Sequence, residues 1–154
     1  MNASRADSPA PAGGGPSDAP LLYLASASPR RAELLRAYGY HVRIIEPPIP
    51  EPDRLSEGIP PGALAEALSY FKARSVAGGL SRGVVIGGDT VVALDGHCYG
   101  KPEDRDDARR ILRALAGTTQ EVITGVTVLS RPGDRRLIQH EVTQVTMRPM
   151  SDDE

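Results

Sequence analysis

The sequence holds no tryptophan, a single phenylalanine (Phe71) and a single cysteine (Cys98) among its 154 residues. With aromatic residues at 4%, a core has to be assembled mainly from Leu, Val, Ile and Ala. A lone cysteine excludes an internal disulfide and a cysteine metal cluster. Nothing beside Cys98 marks it as an activated thiol, so it reads as an inert, half-buried residue rather than a nucleophile. No apolar run approaches the roughly 20 residues of a membrane span, and the N-terminus has no hydrophobic segment of the secretory kind. No membrane partner and a cytoplasmic location are therefore expected. A basic field is missing too: 18 Lys and Arg against 20 Asp and Glu leave a net charge of −2. That argues against nucleic acid as a partner and requires any anion site to be local. His41, His97 and His140 are scattered singly and pair with no Ser or Cys nucleophile.

The length fits one domain with one modest core. Residues 1–20, MNASRADSPAPAGGGPSDAP, offer almost nothing large and apolar to offset their ordering entropy, and are expected to be disordered. From residue 21 the pattern changes. Leu21 to Ala25 reads as a short buried strand. A helix follows, with Ser28 as its N-cap, Pro29 in its first position and Gly39 as its stop. His41 to Ile45 predicts a second strand, and Glu46 to Pro61 a proline-rich loop. Leu64, Ala67, Leu68 and Phe71 recur at helical spacing and predict an amphipathic helix to Gly78. Val84 to Ile86 reads as a buried strand ending at Gly87-Gly88-Asp89-Thr90. Asp95-Gly96 is a hairpin signal between Val91–Leu94 and Cys98–Gly100. A third helix carries Ala108, Ile111, Leu112 and Leu115, capped near Asp104 and stopped at Gly117. Strands over 119–130 and 135–148 flank the Pro132-Gly133-Asp134 turn. Strands alternating with helices predict an α/β domain.

Five features carry chemistry. In Ser26-Ala27-Ser28-Pro29-Arg30-Arg31 a strand feeds a helix through a serine-rich turn, which aims backbone N–H groups and the positive helix end at one point. Two arginines add planar forks that match phosphate oxygens, although adjacent helical residues diverge by about 100° and only one need face a ligand. The same residues also suit a plain capped surface helix. Asp89, read at the carboxyl end of a strand, stands where α/β folds hold ligands. It suits a proton acceptor or a cation ligand, or a turn aspartate capping its own backbone. Lys101, held between Gly100 and Pro102, has a fixed place from which to neutralise phosphate, or is a plain loop lysine. Lys72 lies at the edge of the apolar stripe, where its stem can cover the core while its ammonium reaches a cleft or solvent. Glu51 is an acid in the proline-rich loop.

Taken together, Leu-Ala-Ser-Ala-Ser-Pro-Arg-Arg-Ala-Glu-Leu-Leu from Leu24, Lys72-Ala73, Gly-Asp-Thr-Val-Val over 88–92, Gly-Lys-Pro over 100–102 and Thr124-Gly125-Val126 resemble the Maf family of nucleoside triphosphate pyrophosphatases. The resemblance covers about residues 21–150. It implies a mixed, twisted α/β sheet with flanking helices and a central nucleotide cleft, of the Maf/ITPase type. The activity it implies is hydrolysis of a nucleoside triphosphate to the monophosphate and pyrophosphate with a divalent cation, Mg²⁺ or Mn²⁺. By position, Asp89 matches the family's proton acceptor, Arg30 and Thr90 match positions tied to substrate choice, and Ser26, Arg31, Lys72 and Lys101 match phosphate contacts. Glu51 and Asp89 match the acids expected at the metal, although Pro50 stands where an aspartate usually precedes Glu51. An arginine at position 30 resembles the members acting on pyrimidine triphosphates such as dTTP and UTP. A homodimer is a further expectation.

Family members continue, after the strand matching 136–148, into a helix and a segment that carries a base-contacting glutamine. Ser151-Asp152-Asp153-Glu154 reads as the cap and acidic first turn of that helix. The expectation is a single Maf-like domain over 21–154 lacking its C-terminal segment, with a sheet edge and a core face left uncovered. An inactive module that holds a triphosphate without turning it over is the alternative.

Overall fold

A computed structural model describes residues 21–48, 58–133 and 135–151. The expected tail at 1–20, Glu51 and the acidic residues 152–154 lie outside them. The elements are β1 (Leu22–Ala25), α1 (Pro29–Ala37), β2 (Val42–Ile44), α2 (Pro61–Ala77), β3 (Gly83–Leu94), β4 (His97–Tyr99), α3 (Arg105–Leu115), β5 (Thr119–Arg131) and β6 (Arg135–Thr146). They form one mixed sheet in the order β2-β1-β3-β5-β6, with β4 also paired to β3. β1 runs parallel to both β2 and β3, whereas β3–β4, β3–β5 and β5–β6 are antiparallel. The mixed α/β sheet expected from the sequence is present.

The crossover from β1 to β2 and the one from β2 to β3 run in opposite directions across the sheet. α1 and α2 lie on opposite faces, as two right-handed crossovers require: of two neighbouring strand residues, Gly87 meets α2 and Gly88 meets Arg31 of α1. α2 covers β3 and β5. Ala25, Ala73, Val76, Ala77, Val85 and Leu129 form one buried cluster beneath it, and Leu64, Ala65, Val91, Ala93 and Ile123 form another. Where the helix meets the strands its side chains are small, Ala65, Ser69 and Ala73, because it lies very close to them. A Cβ on Gly87 would stand 2.3 Å from the Ser69 carbonyl oxygen, and one on Gly125 would stand 2.2 Å from that of Ala65. Between the clusters the Ser69 and Thr127 hydroxyls meet at 2.7 Å, which satisfies two polar groups with no exposure.

Three sequence expectations are corrected here. The apolar stripe of α2 has the right period and the wrong phase. Its buried residues include Leu64, Ala65, Ser69, Ala73, Val76 and Ala77, while Phe71 is 58% exposed, since a ring would not fit where the helix touches the sheet. The strand predicted to stop at Ile86 continues as β3 through the twin glycines to Leu94, so Asp89 is mid-strand rather than at a strand end. Ser28 stands at the N-cap of α1 but makes no capping bond with its side chain. Ser26 Oγ instead accepts from the Ser28 N–H at 3.2 Å. Other local readings hold. Asp95 and Gly96 turn the β3–β4 hairpin with φ of 51° and 79°, as a tight hairpin requires. Asp104 caps α3 by accepting from the Asp107 N–H at 2.8 Å.

β6 is exposed along nearly its whole length. Leu137, Val142 and Val145 are among its exposed side chains, and among the described residues no strand pairs with its outer edge. No helix among them is long and apolar enough to cross a membrane.

Candidate active site

β1 borders β3 only as far as Ala25 opposite Gly87. β4 takes up the same edge at Tyr99 opposite Val92. Between them Gly88, Asp89, Thr90 and Val91 pair with β5 on one side and face a gap on the other. The gap lies just past the carboxyl end of a parallel strand, where open α/β sheets hold their ligands.

Side chains reach this gap from both faces. From α1, Arg31 spans it: Nη1 donates to Ser26 Oγ at 3.0 Å and to the Gly88 carbonyl at 2.9 Å, and Nη2 donates to Thr90 Oγ1 at 3.0 Å. The Arg31 guanidinium is thereby tied to β1's end and to β3. Ser26 Oγ accepts from both Ser28 N–H and Arg31, so its own hydroxyl hydrogen is left to donate elsewhere. Gly88 makes room for this arrangement, because a Cβ there would lie 3.2 Å from Arg31 Nε. On the opposite face, Lys72 of α2 donates to Asp89 Oδ1. Both side chains are 14% exposed, which keeps the pair reachable by a ligand yet largely out of water.

The sequence-predicted residues thus fall into two contact sets joined through consecutive residues of β3. Ser26, Arg31 and Thr90 form one, Lys72 and Asp89 the other. Arg30 is exposed on α1 and turned from Arg31 as helical geometry demands. Lys101 is exposed. The antiparallel register of β4 leads the chain at Gly100-Lys101 back alongside the gap. Glu51 lies outside the described residues. Sequence reasoning missed two parts, the Gly88 carbonyl and Thr124, whose Oγ1 lies 3.0 Å from that of Thr90. The backbone carbonyl has no sequence signal; Thr124 had one in its place in the quoted Thr-Gly-Val motif.

For a divalent cation the donor set is small. No group of three metal-binding side chains occurs among the described residues. Asp89 offers a hard carboxylate oxygen at the gap, which suits Mg²⁺, an ion held through one or two carboxylates together with substrate phosphates. A cavity of about 580 Å³ lined by Ser81, Arg82, Gly83, Val84, Ser130, Arg131 and Pro132 lies at the opposite end of β3, far from Asp89 along the strand. It takes no part in this site. Cys98 is not an activated thiol: burial pushes its pKa up.

Over 133 residues the chain is 42% identical to the dTTP/UTP pyrophosphatase of Carboxydothermus hydrogenoformans, covering 86% of this chain and 70% of that one. It is 42% identical over 137 residues to the dTTP/UTP pyrophosphatase of Moorella thermoacetica, covering 86% and 68%. Among solved structures, the nucleoside-triphosphatase, or dITP/XTP pyrophosphatase, of Mycobacterium abscessus superposes with a TM-score of 0.52 at 17% identity, over 82% of this chain and 73% of that one. That likeness shows the fold. The Maf-like protein family model matches residues 21–154, and the chain belongs to that family.

Proposed function

We propose that this protein is a nucleoside triphosphate pyrophosphatase that takes pyrimidine substrates such as dTTP and UTP, releasing the monophosphate and pyrophosphate in the cytoplasm. One observation carries the reading: Arg31, fixed to Ser26, Gly88 and Thr90, and the Lys72–Asp89 pair converge on one four-residue gap of β3. The pyrimidine preference draws on the relatives named dTTP/UTP pyrophosphatase and on Arg30.

In this reading the triphosphate lies along the gap. Ser26 donates its hydroxyl hydrogen to a phosphate oxygen, and Arg31, Arg30 and Lys101 balance the charge of the polyphosphate. Asp89 accepts a proton from water as the water oxygen attacks the α-phosphorus. The bond from that phosphorus to the bridging oxygen breaks, and pyrophosphate leaves. Lys72 holds the Asp89 carboxylate in place and adds positive charge beside it. Such chemistry is mostly positioning and charge neutralisation, and each well-placed donor is worth about 3 kcal/mol in the barrier. Asp89, with Glu51, would hold Mg²⁺ or Mn²⁺. When bound, that cation supplies further neutralisation of phosphate charge.

The test is product analysis after incubation with dTTP or UTP and Mg²⁺ or Mn²⁺. The expected products are the monophosphate and pyrophosphate. Diphosphate with inorganic phosphate would contradict cleavage at the α-phosphorus. Calorimetric binding without turnover would make the chain a triphosphate-holding module.

A further inference from the structure

Thr124 of β5 lies directly opposite Thr90 of β3, on the face that Arg31 crosses. Their hydroxyl oxygens are 3.0 Å apart, and Thr90 Oγ1 also receives Arg31 Nη2 at 3.0 Å. A guanidinium has donors only, so Thr90 is the acceptor of that bond. The two threonines carry two hydroxyl hydrogens, and their mutual bond uses one. Whichever threonine donates, the other hydrogen remains beside Arg31 on the ligand face.

We propose that Thr124 is a positioning residue of the triphosphate site. It selects the Thr90 rotamer that meets Arg31, and together the two threonines offer one hydroxyl hydrogen to an acceptor oxygen of the nucleotide. The inference rests on the reading of the gap as a triphosphate site. A β-branched side chain on a strand has few χ1 states, so one hydrogen bond suffices to choose among them. A purely structural role fits poorly. The buried Ser69–Thr127 bond one face away has no exposure, whereas the Thr90–Thr124 pair is open to solvent, where water replaces a lost hydroxyl contact at little cost.

The test is calorimetric titration with a dTTP analogue whose α- and β-phosphorus atoms are joined by a methylene group, alongside steady-state kinetics and thermal melts. Thr124→Val is expected to weaken binding and raise KM about tenfold, the loss of one hydrogen bond near a charged group. Asp89 points to the other face of β3, so kcat is expected to change by less than about threefold. Thr124→Ser, which keeps the hydroxyl, is expected to bind within about twofold of the wild type. The double variant Thr90→Val/Thr124→Val should lose less than the sum of the two single losses, because the two hydroxyls share one bond and offer one hydrogen between them. Wild-type affinity in Thr124→Val, equal loss in Thr124→Ser, full additivity in the double variant, or loss of the fold in Thr124→Val would each overturn the proposal. Failure of the wild type to bind the analogue would instead overturn the triphosphate reading, and this inference with it.

Discussion

Gly87 and Gly88 are neighbours in sequence and opposites in surroundings. Gly87 is pressed against α2, with the Ser69 carbonyl and the Ala73 side chain where its Cβ would be. Gly88 faces the other way, and the side chain of Arg31 fills the space beside it. One glycine lets the helix sit on the sheet; the other lets an arginine cross the strand. One residue further, the alternation of a strand sends Asp89 to the Lys72 side and Thr90 to the Arg31 side. A single stretch of β3 therefore serves the core with one face and lines the gap with both.

Substitutions along this stretch can break or sharpen that contrast. The largest expected effect is on turnover: Asp89→Asn should lower kcat by about 10³-fold, the usual worth of a positioned proton acceptor. Its melting temperature should stay near the wild type's, and wild-type turnover would remove Asp89 from the mechanism. Gly87→Ala should act on folding instead, destabilising by about 3 kcal/mol in denaturant titration, because the added methyl meets backbone that can move little. Arg31→Ala should raise the KM for dTTP about 30-fold, consistent with loss of a charged donor worth about 2 kcal/mol. Arg30→Ala, at an exposed neighbour, should raise it about fivefold; equal effects would mean that the ties of Arg31 to β3 do not matter. The smallest effect belongs to Gly88→Ala, which should raise KM about fourfold by displacing a flexible side chain, with little change in melting temperature. A stability loss in Gly88→Ala to match that of Gly87→Ala would erase the difference between the two glycines.

The same residues show how far the sequence could be read. β1, α1, the Asp95-Gly96 hairpin and the Asp104 cap were legible because their signals are local: a capping side chain, a fixed φ, a turn dipeptide. The twin glycines read in the sequence as the end of a strand, since glycine signals freedom of backbone and closeness of approach alike. Phe71 misled for a related reason. Its size suggested core, but the close contact between α2 and Gly87 and Gly125 admits only small side chains. Within the site, Ser26, Arg31, Lys72, Asp89 and Thr90 were named as candidates from the sequence. Their division between two faces depends on β3 running unbroken through Gly88. The Gly88 carbonyl and the Thr90–Thr124 bond depend on which strands are neighbours, and single-sequence periodicity holds no information on that.

On the proposed function, the gap beside Gly88–Val91 holds the triphosphate. Amide chemical-shift mapping with the methylene-bridged dTTP analogue tests it most directly. Ser26, Ser28 and the amides of residues 88–91 should show the largest shifts, with residues 83–86 of the same strand little changed. Shifts centred on Ser81–Val84 and Ser130–Arg131, at the far end of β3, would contradict it.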